Sequence, residues 1–572
     1  MTDPLRALGP LFGTAVAAAI GPEHAGVDPM LRSSRHADFQ ANLAMGLGKT
    51  LGRPPREVAT AIVAHLPVGG MLRSAEVAGP GFINLWISPD YLAAELEGAS
   101  DGDWDLAAPK SETVVVDYSS PNVAKEMHVG HLRSTILGDT LARVLEALGH
   151  RVVRQNHLGD WGTPFGMLIE HLLDYGGGAA DASVTDLGGF YQAARRKFEE
   201  DSAFADRARA RVVELQRGDP ATLELWHELV SVSTRYFDTV YRRLGVSLAS
   251  EHIAGESRYN PWLGEVVAEL EERGLGVESD GATCVFPPGF TGRDDQPVPL
   301  IVRKQDGGYG YAATDLCAIR YRARTLGATR ILYVVGAPQA QHLAMVFAVA
   351  RAAGWLPEST RAEHVAFGAV LGSDKKMFRT RAGETIRLID LLDEAVARAR
   401  AIVREKNPDL DPDDQERIAC AVGIGAVKYA DLVNDRGKDY VFDWSRMLAF
   451  DGNTAPYLMY AHARIRSIFR KGSGPAGAGR LSVETPEEKT LALALLAFPT
   501  VLEDVAETLL PHKLCGYLYD LATTFSAFYE RCPVLQAPVP EQRVSRLRLC
   551  DLTARVLARG LDLLGIEAPE RM

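Results

Sequence analysis

In the stretch "SSPNVAKEMHVGH", residues 119–131, two histidines stand three residues apart, with Gly130 just before the second and Lys125 ahead of the pair. An apolar run, "ETVVVDY", leads in. Imidazoles donate hydrogen bonds near neutrality and a lysine brings a compact cation, so this set suits a ligand that carries phosphate. At a helix start His128 and His131 lie one turn apart on one face, where the orphan amides and the helix dipole already favour an anion. Polyphosphate held for attack at phosphorus fits, because positioning and charge stabilisation do most of that catalysis. Gly130 would leave backbone open to a flat or bulky ligand. An H-x-x-H pair also ligates metal, but no nearby cysteine or third histidine completes such a site. Two ordinary surface histidines are the remaining reading.

Such a turn needs a strand to deliver it and a helix to follow it. "TVVVDYSS" reads as a buried strand, "LRSTILGDTLARVLEALGH" as a helix and "RVVRQNHLG" as a second strand, which together make a βαβ unit. The turn then falls at the carboxyl edge of a parallel sheet, where doubly wound folds bind ligands. The expected fold class is α/β, a doubly wound, Rossmann-like parallel sheet. Residues 112–385 carry this catalytic domain, with an insertion over about 186–300 that is helix-rich and then strand and loop. The α/β signals return with "PLIVRK", "ILYVVG" and "HVAFGAVLG". Residues 1–107 read as a separate α+β unit, with helices in "ADFQANLAMGLGKTL" and "PREVATAIVAHL" and a strand pair in "MLRSAEVAGPGFINLWIS". Residues 386–440 are a helical connection and 441–572 an all-α domain. "GLGKT" at 46–50 imitates a phosphate loop, but Leu43 stands where glycine is needed and no strand leads in.

The chain has 572 residues, 47% of them hydrophobic, and a net charge of −12. That is enough for roughly three or four domains. A globally acidic chain is not a bulk polyanion binder, although local basic surfaces still bind nucleic acid. The six cysteines form no C-x-x-C pair, so neither a zinc ribbon nor a disulfide scaffold is indicated. Reduced, mostly buried thiols of a cytoplasmic protein are expected. The N-terminal stretch imitates a signal peptide weakly, since Asp3 offsets Arg6, and no apolar run approaches a membrane span of ~18–20 residues.

"SSPNVAKEMHVGHLRST" followed by "NHLGDWGTPFG" closely resembles the arginyl-tRNA synthetases, with H-V-G-H similar to the HIGH motif of class I synthetases. The likeness continues in order through "FYQAARRKFEED", "GESRYN", "IVRKQDGGYGYAATDLCAIRYR", "FRTRAGETIRLIDLLDEA", "GIGAVKYADL", "FDWSRMLAFDGNTAPYLMYAHARI" and "LGIEAPERM". "ADFQANLAMGLGK" and "VAGPGFINLWI" resemble that family's N-terminal add-on domain.

The resemblance implies activation of L-arginine with ATP and transfer of arginine to the 3′-terminal adenosine of tRNA(Arg), with activation waiting for bound tRNA. It makes Lys125, His128 and His131 catalytic. ATP would meet Ser119, His128, Gly130, His131 and His342. It would also meet a second motif in "DKKMFRTRAGE", 374–384, through Lys376, Met377, Phe378, Arg379 and Thr380. This stretch departs from the class KMSKS pattern: Thr380 stands where a lysine is usual, and Lys125 is implied to supply the missing charge. Arginine would be held by Asp117, Asn122, Tyr311, Asp315 and Gln339; Tyr311 and Asp315 are four apart and share a face if helical. Asn42, with Phe39 beside it, and Tyr460, Tyr529 and Met572 would contact tRNA, since cations follow phosphates and aromatics stack on unpaired bases. Magnesium is expected only with ATP, with no prosthetic group, no structural zinc and no protein metal site. A monomer without membrane contact is expected. The rival readings are a simple nucleotidylyltransferase, a paralogue activating arginine for another purpose and a non-catalytic RNA-binding relative.

Overall fold

In the computed structural model the described residues are 3–100, 104, 106, 110–175, 187–292, 295–378, 386–471 and 479–572. Their centre is a parallel sheet of four strands. In spatial order these are Arg361–His364, Arg330–Tyr333, Thr113–Asp117 and Arg151–Gln155. The strand Thr113–Asp117 is apolar on both faces because both are covered. Val114 and Val116 enter one core and Val115 the other, all fully buried. The register sets Gln155, Asp117, Tyr333 and His364 side by side along the carboxyl edge. The strand order reverses beside Thr113–Asp117, which puts the doubly wound switch point at the turn that follows it.

The insertion contributes the helices Leu187–Glu200, Ser202–Arg217, Pro220–Leu244 and Asn260–Glu272 and a small antiparallel sheet. That sheet holds Gly276–Ser279, Ala282–Val285 and Leu300–Arg303. The run "LIVR" therefore pairs antiparallel within the insertion rather than joining the parallel sheet. Four apolar residues fit either kind of strand, and the preceding hairpin captures them first. The N-terminal unit is a four-stranded antiparallel sheet with helices. "ADFQANLAMGLGKTL" splits into a strand, Phe39–Ala41, and a helix, Leu43–Leu51, so "GLGKT" lies within a helix.

After residue 386 the described residues are almost wholly helical. This part is joined to the sheet domain by buried polar contacts. Arg133, on the helix that follows the His128 turn, pairs with Asp431 at 3.1 Å, both fully buried. Arg330 donates from the sheet to the Ala506 carbonyl, 2.9 Å away. Lys428 is buried with its ammonium on the carbonyls of Leu244 (2.7 Å) and Gly565 (2.6 Å). The N-terminal unit also rests on the helical part. Asp38 pairs with Lys489 at 2.6 Å, Arg6 with Glu503, and the Trp104 ring meets the Phe498 ring edge-on at 4.9 Å.

Candidate active site

The turn after the first strand is strained and heavily braced. Ser119, Ser120 and Ala124 all have left-handed φ, at 72°, 47° and 59°. Side chains avoid that region at a cost of order 1–3 kcal/mol each. Polar side chains pin the backbone in place. Ser134 takes the Ser119 amide (2.9 Å), Asn156 the Ser120 amide (3.0 Å) and Ser233 the Ala124 amide (2.9 Å). Ser119 itself is buried, its hydroxyl bonded to Tyr241 (2.8 Å) and Thr135 (2.9 Å). Its side chain braces the turn.

His128 caps the helix Val129–Ala147. Its Nδ1 accepts the Gly130 amide at 3.0 Å, and Nδ1 of His131 accepts the His128 amide at 3.0 Å. A backbone amide only donates, so both Nδ1 atoms are bare and the ring protons sit on Nε2. The rings lie 4.0 Å apart, centroid to centroid. Burial pushes both histidines below their usual range, with Lys125 adding repulsion. For His131 burial comes first and His128 next, taking it to about 3. Two neutral Nε2–H donors thus stand at a helix N-terminus. The room a Cβ at Gly130 would need is filled by the His128 ring, 2.7 Å away. The glycine serves the fold of the turn before any ligand. Lys125 lies over the Tyr191 ring, 4.5 Å from its centroid.

A second loop closes the site. Asn122 bridges to Gly159, the Val123 amide donates to the Gly159 carbonyl (3.0 Å), and the Glu256 amide to the Leu158 carbonyl (3.0 Å). Asp160 accepts from the Ser257 amide (2.8 Å) and hydroxyl (2.7 Å), and burial pushes its carboxyl up. A Cβ on Gly255 would fall 2.1 Å from that carboxylate, so the approach needs glycine. Glu256 is pushed up to about 8 by burial and by the charges of Asp160 and Asp315. Three carboxylates within one another's field make a corner that favours a cationic ligand with several donors. Tyr311 and Asp315 stand one turn apart on the helix Tyr311–Arg324, Tyr311 exposed and within the field of Glu256 and Tyr191.

His342 lies on the helix Ala340–Ala352. Its Nε2 is 2.6 Å from Oδ2 of Asp315. Asp117 ends its strand at the carboxyl edge of the sheet. It is buried, with Oδ2 on Arg322 at 2.8 Å and Oδ1 on the Ser120 hydroxyl at 3.2 Å. Arg322 is itself buried, donates to Gln155 (2.6 Å) and lies over the Tyr333 ring. Asp117 is therefore the counter-ion of an internal arginine. Asn122 is exposed at the rim, and Gln339 is exposed in the short turn Ala337–Gln339.

Of the second motif, Lys376 and Met377 are exposed, and Phe378 stacks on Phe442 at 4.7 Å. Arg379 and Thr380 lie outside the described residues. Beyond them, Ile386 and Leu388 pair with Val129 and Met127 through backbone bonds of 3.1 and 2.8 Å. The stretch after the second motif is thus stitched directly to the His128 turn.

The distal candidates sit apart from this site. Tyr460 is exposed, Tyr529 is half-buried with Arg464 5.2 Å from its ring centroid, and Met572 packs on the helical core. Asn42 is half-buried, and among the described residues its buried Oδ1 has no partner. Phe39 is core, because its strand turns that side inward, so it offers no RNA contact.

Sequence reasoning gave no roles to Asp160, Tyr191, Glu256 or Arg322. The only local signal was a glycine beside each acid, in "LGDW" and "GESR".

Three family models match the chain. That of the class I (R) tRNA synthetase catalytic domain matches residues 98–444, that of the arginyl tRNA synthetase N-terminal domain 10–87, and that of the DALR anticodon binding domain 458–572. The chain is 56% identical to the arginine–tRNA ligase of Thermobifida fusca, each covered at 100%, and 49% identical to that of Shigella flexneri, each covered at 98%. Its fold is similar to the arginyl-tRNA synthetase of Plasmodium falciparum, with a TM-score of 0.86 at 30% identity and 100% of both chains covered. It is also similar to that of Thermus thermophilus, at 0.80 and 28%, covering 99% of this chain and 100% of that one. With the histidine turn, the acidic corner and all three domains accounted for, the chain belongs to the arginyl-tRNA synthetase family.

Proposed function

We propose that this protein activates L-arginine with ATP and transfers it to the 3′-terminal adenosine of tRNA(Arg). The observation that carries the reading is the corner of Glu256, Asp315 and Asp160, joined by Tyr191 to the turn of Lys125, His128 and His131. A guanidinium is a planar fork of donors that rewards fixed carboxylates. Glu256 and Asp315 would take its two edges, and Tyr311 would cover it. The arginine carboxylate oxygen then attacks the α-phosphorus, and the bond to the bridging oxygen breaks with release of pyrophosphate.

Charge grows on the phosphate oxygens as that bond breaks. The Nε2–H groups of His128 and His131, the helix N-terminus and the Lys125 ammonium would meet it, acting through position and not proton transfer. Magnesium would come with the nucleotide as part of the substrate. Gln339 and Asn122 would meet the arginine backbone at the rim. Lys376, Met377, Arg379 and Thr380 would close over the nucleotide, with Phe378 as the hinge-side anchor. Tyr460, Tyr529 and Met572 would serve the anticodon and Asn42 the far side of the tRNA. The protein would act in the cytoplasm as a monomer.

ATP–pyrophosphate exchange with arginine, run with and without tRNA, tests the reading. Exchange that depends on arginine is expected, and none under either condition would reject it. A nucleotidylyltransferase would exchange without arginine, and a paralogue acting off tRNA would exchange without ever charging it.

A further inference from the structure

We infer that His342 is a positioning residue of the arginine corner and not a nucleotide contact: its Nε2 fixes one oxygen of Asp315 so that the other is presented to the substrate guanidinium. This rests on the reading of the corner proposed above. The contact is 2.6 Å, between helices that start at Tyr311 and Ala340. The side chains are 32% and 24% exposed, so the pair is reachable by a ligand yet only partly hydrated. Among the described residues Oδ1 of Asp315 has no hydrogen-bond partner. A carboxylate held by one oxygen keeps a fixed plane, which a forked guanidinium needs.

The arrangement couples arginine to a proton. Asp315 lifts His342 above its usual range by hydrogen bond and charge, against burial. Asp315 is the charged group that acts on His342. Glu256 and Tyr333 face Asp315 from the turn Glu256–Tyr259 and from the sheet, with Asp160 behind Glu256 and Tyr311 on Asp315's own helix. An imidazolium there offsets the charge that the guanidinium needs. Arginine and that proton therefore compete, and the coupling is reciprocal. Arginine should bind more tightly as pH rises through the His342 pKa. Glu256, at about 8, drives binding the same way, so the two must be separated by substitution.

The test is calorimetric titration of L-arginine, and separately of ATP, into the full-length protein at pH 6, 7 and 8. His342→Gln keeps a donor but cannot charge, and His342→Ala removes the donor. In the unsubstituted protein the arginine Kd should fall with pH, by up to about tenfold per unit for each linked proton. His342→Gln should match it within about threefold at pH 8, bind about fivefold tighter at pH 6, and so show a shallower slope. His342→Ala should bind arginine about tenfold more weakly at pH 8, on the scale of a lost hydrogen bond to a charged group. ATP affinity should be unchanged in both. An unaltered pH slope in His342→Gln overturns the inference, as does a loss of ATP rather than arginine affinity in His342→Ala. If His342→Ala is too unstable to measure, the glutamine slope decides alone. No arginine binding by the unsubstituted protein would overturn the pocket reading itself.

Discussion

The amide of His128 donates to Nδ1 of His131, and this single bond settles which nitrogen of His131 carries its proton. The neutral ring that results is a donor at Nε2, and burial keeps it neutral well below the usual histidine range. A protonated pair would attract phosphate more strongly in the ground state. Neutral donors in fixed positions instead favour the moment when charge shifts between oxygens.

A pH dependence of stability follows. In the folded protein His131 protonates at about 3, against an ordinary value near 6.5, so between those limits the unfolded chain binds the extra proton. Stability from this group is complete above pH 6.5. It is lost as pH falls, by up to about 1.4 kcal/mol per unit. His131→Gln should flatten the fall in Tm between pH 6.5 and 5; an unchanged slope would mean that the ring protonates in place.

Lys125→Ala should slow arginine activation by ~10²-fold, the scale of one transition-state donor. Pyrophosphate exchange measures it. Because Thr380 carries no charge, Thr380→Lys in that background should restore part of the rate. Tyr191→Ala leaves the ammonium but removes its platform and should cost less than Lys125→Ala. Full activity in Lys125→Ala would remove the lysine from the mechanism.

Asp315→Asn and Glu256→Gln each take one carboxylate from the corner. Leaving a guanidinium short of its partner costs about 2–5 kcal/mol. The loss should fall on arginine binding with ATP binding kept. Glu256→Gln should also remove the titration near 8 from the pH profile of arginine affinity.

Arg322→Met strands the buried Asp117 carboxylate and should destabilise the fold by about 3–5 kcal/mol, read from chemical denaturation. Asp117→Asn in the same chain should recover much of it, since the uncompensated charge is gone. A mild single mutant would show that water reaches this floor.

The fold class and the histidine turn were legible because both are local. A run of valines, a turn and an amphipathic helix sit within 40 residues of sequence. The acidic corner was only half legible. Tyr311 and Asp315 share one helix face, but Glu256 and Asp160 come from loops far apart in sequence and meet through the backbone bond from Glu256 to Leu158 and the bonds of Ser257 to Asp160. The pairing of Asp117 with Arg322 was not legible, because nothing near Asp117 in sequence announces a cation 205 positions later. The brace at Ser119 was not legible either, because a hydroxyl at a strand end reads alike whether it faces a ligand or a brace. Removing residues beyond 440 would take the Ala506 carbonyl from Arg330 and the Gly565 carbonyl from Lys428, so the shortened chain would lose buried contacts of the sheet domain as well as its helical part.

The N-terminal unit touches the helical part through Asp38–Lys489, Arg6–Glu503 and Trp104–Phe498 as well as through the covalent chain. The molecule is thus closed into a ring, and its integrity does not hang on one peptide. Proteolytic cutting after the exposed Lys110 should yield two fragments that remain together in gel filtration and part only in denaturant. The spacing between the N-terminal unit and the helical part is a fixed ruler, set by side chains at the closure and indifferent to the length of the tether.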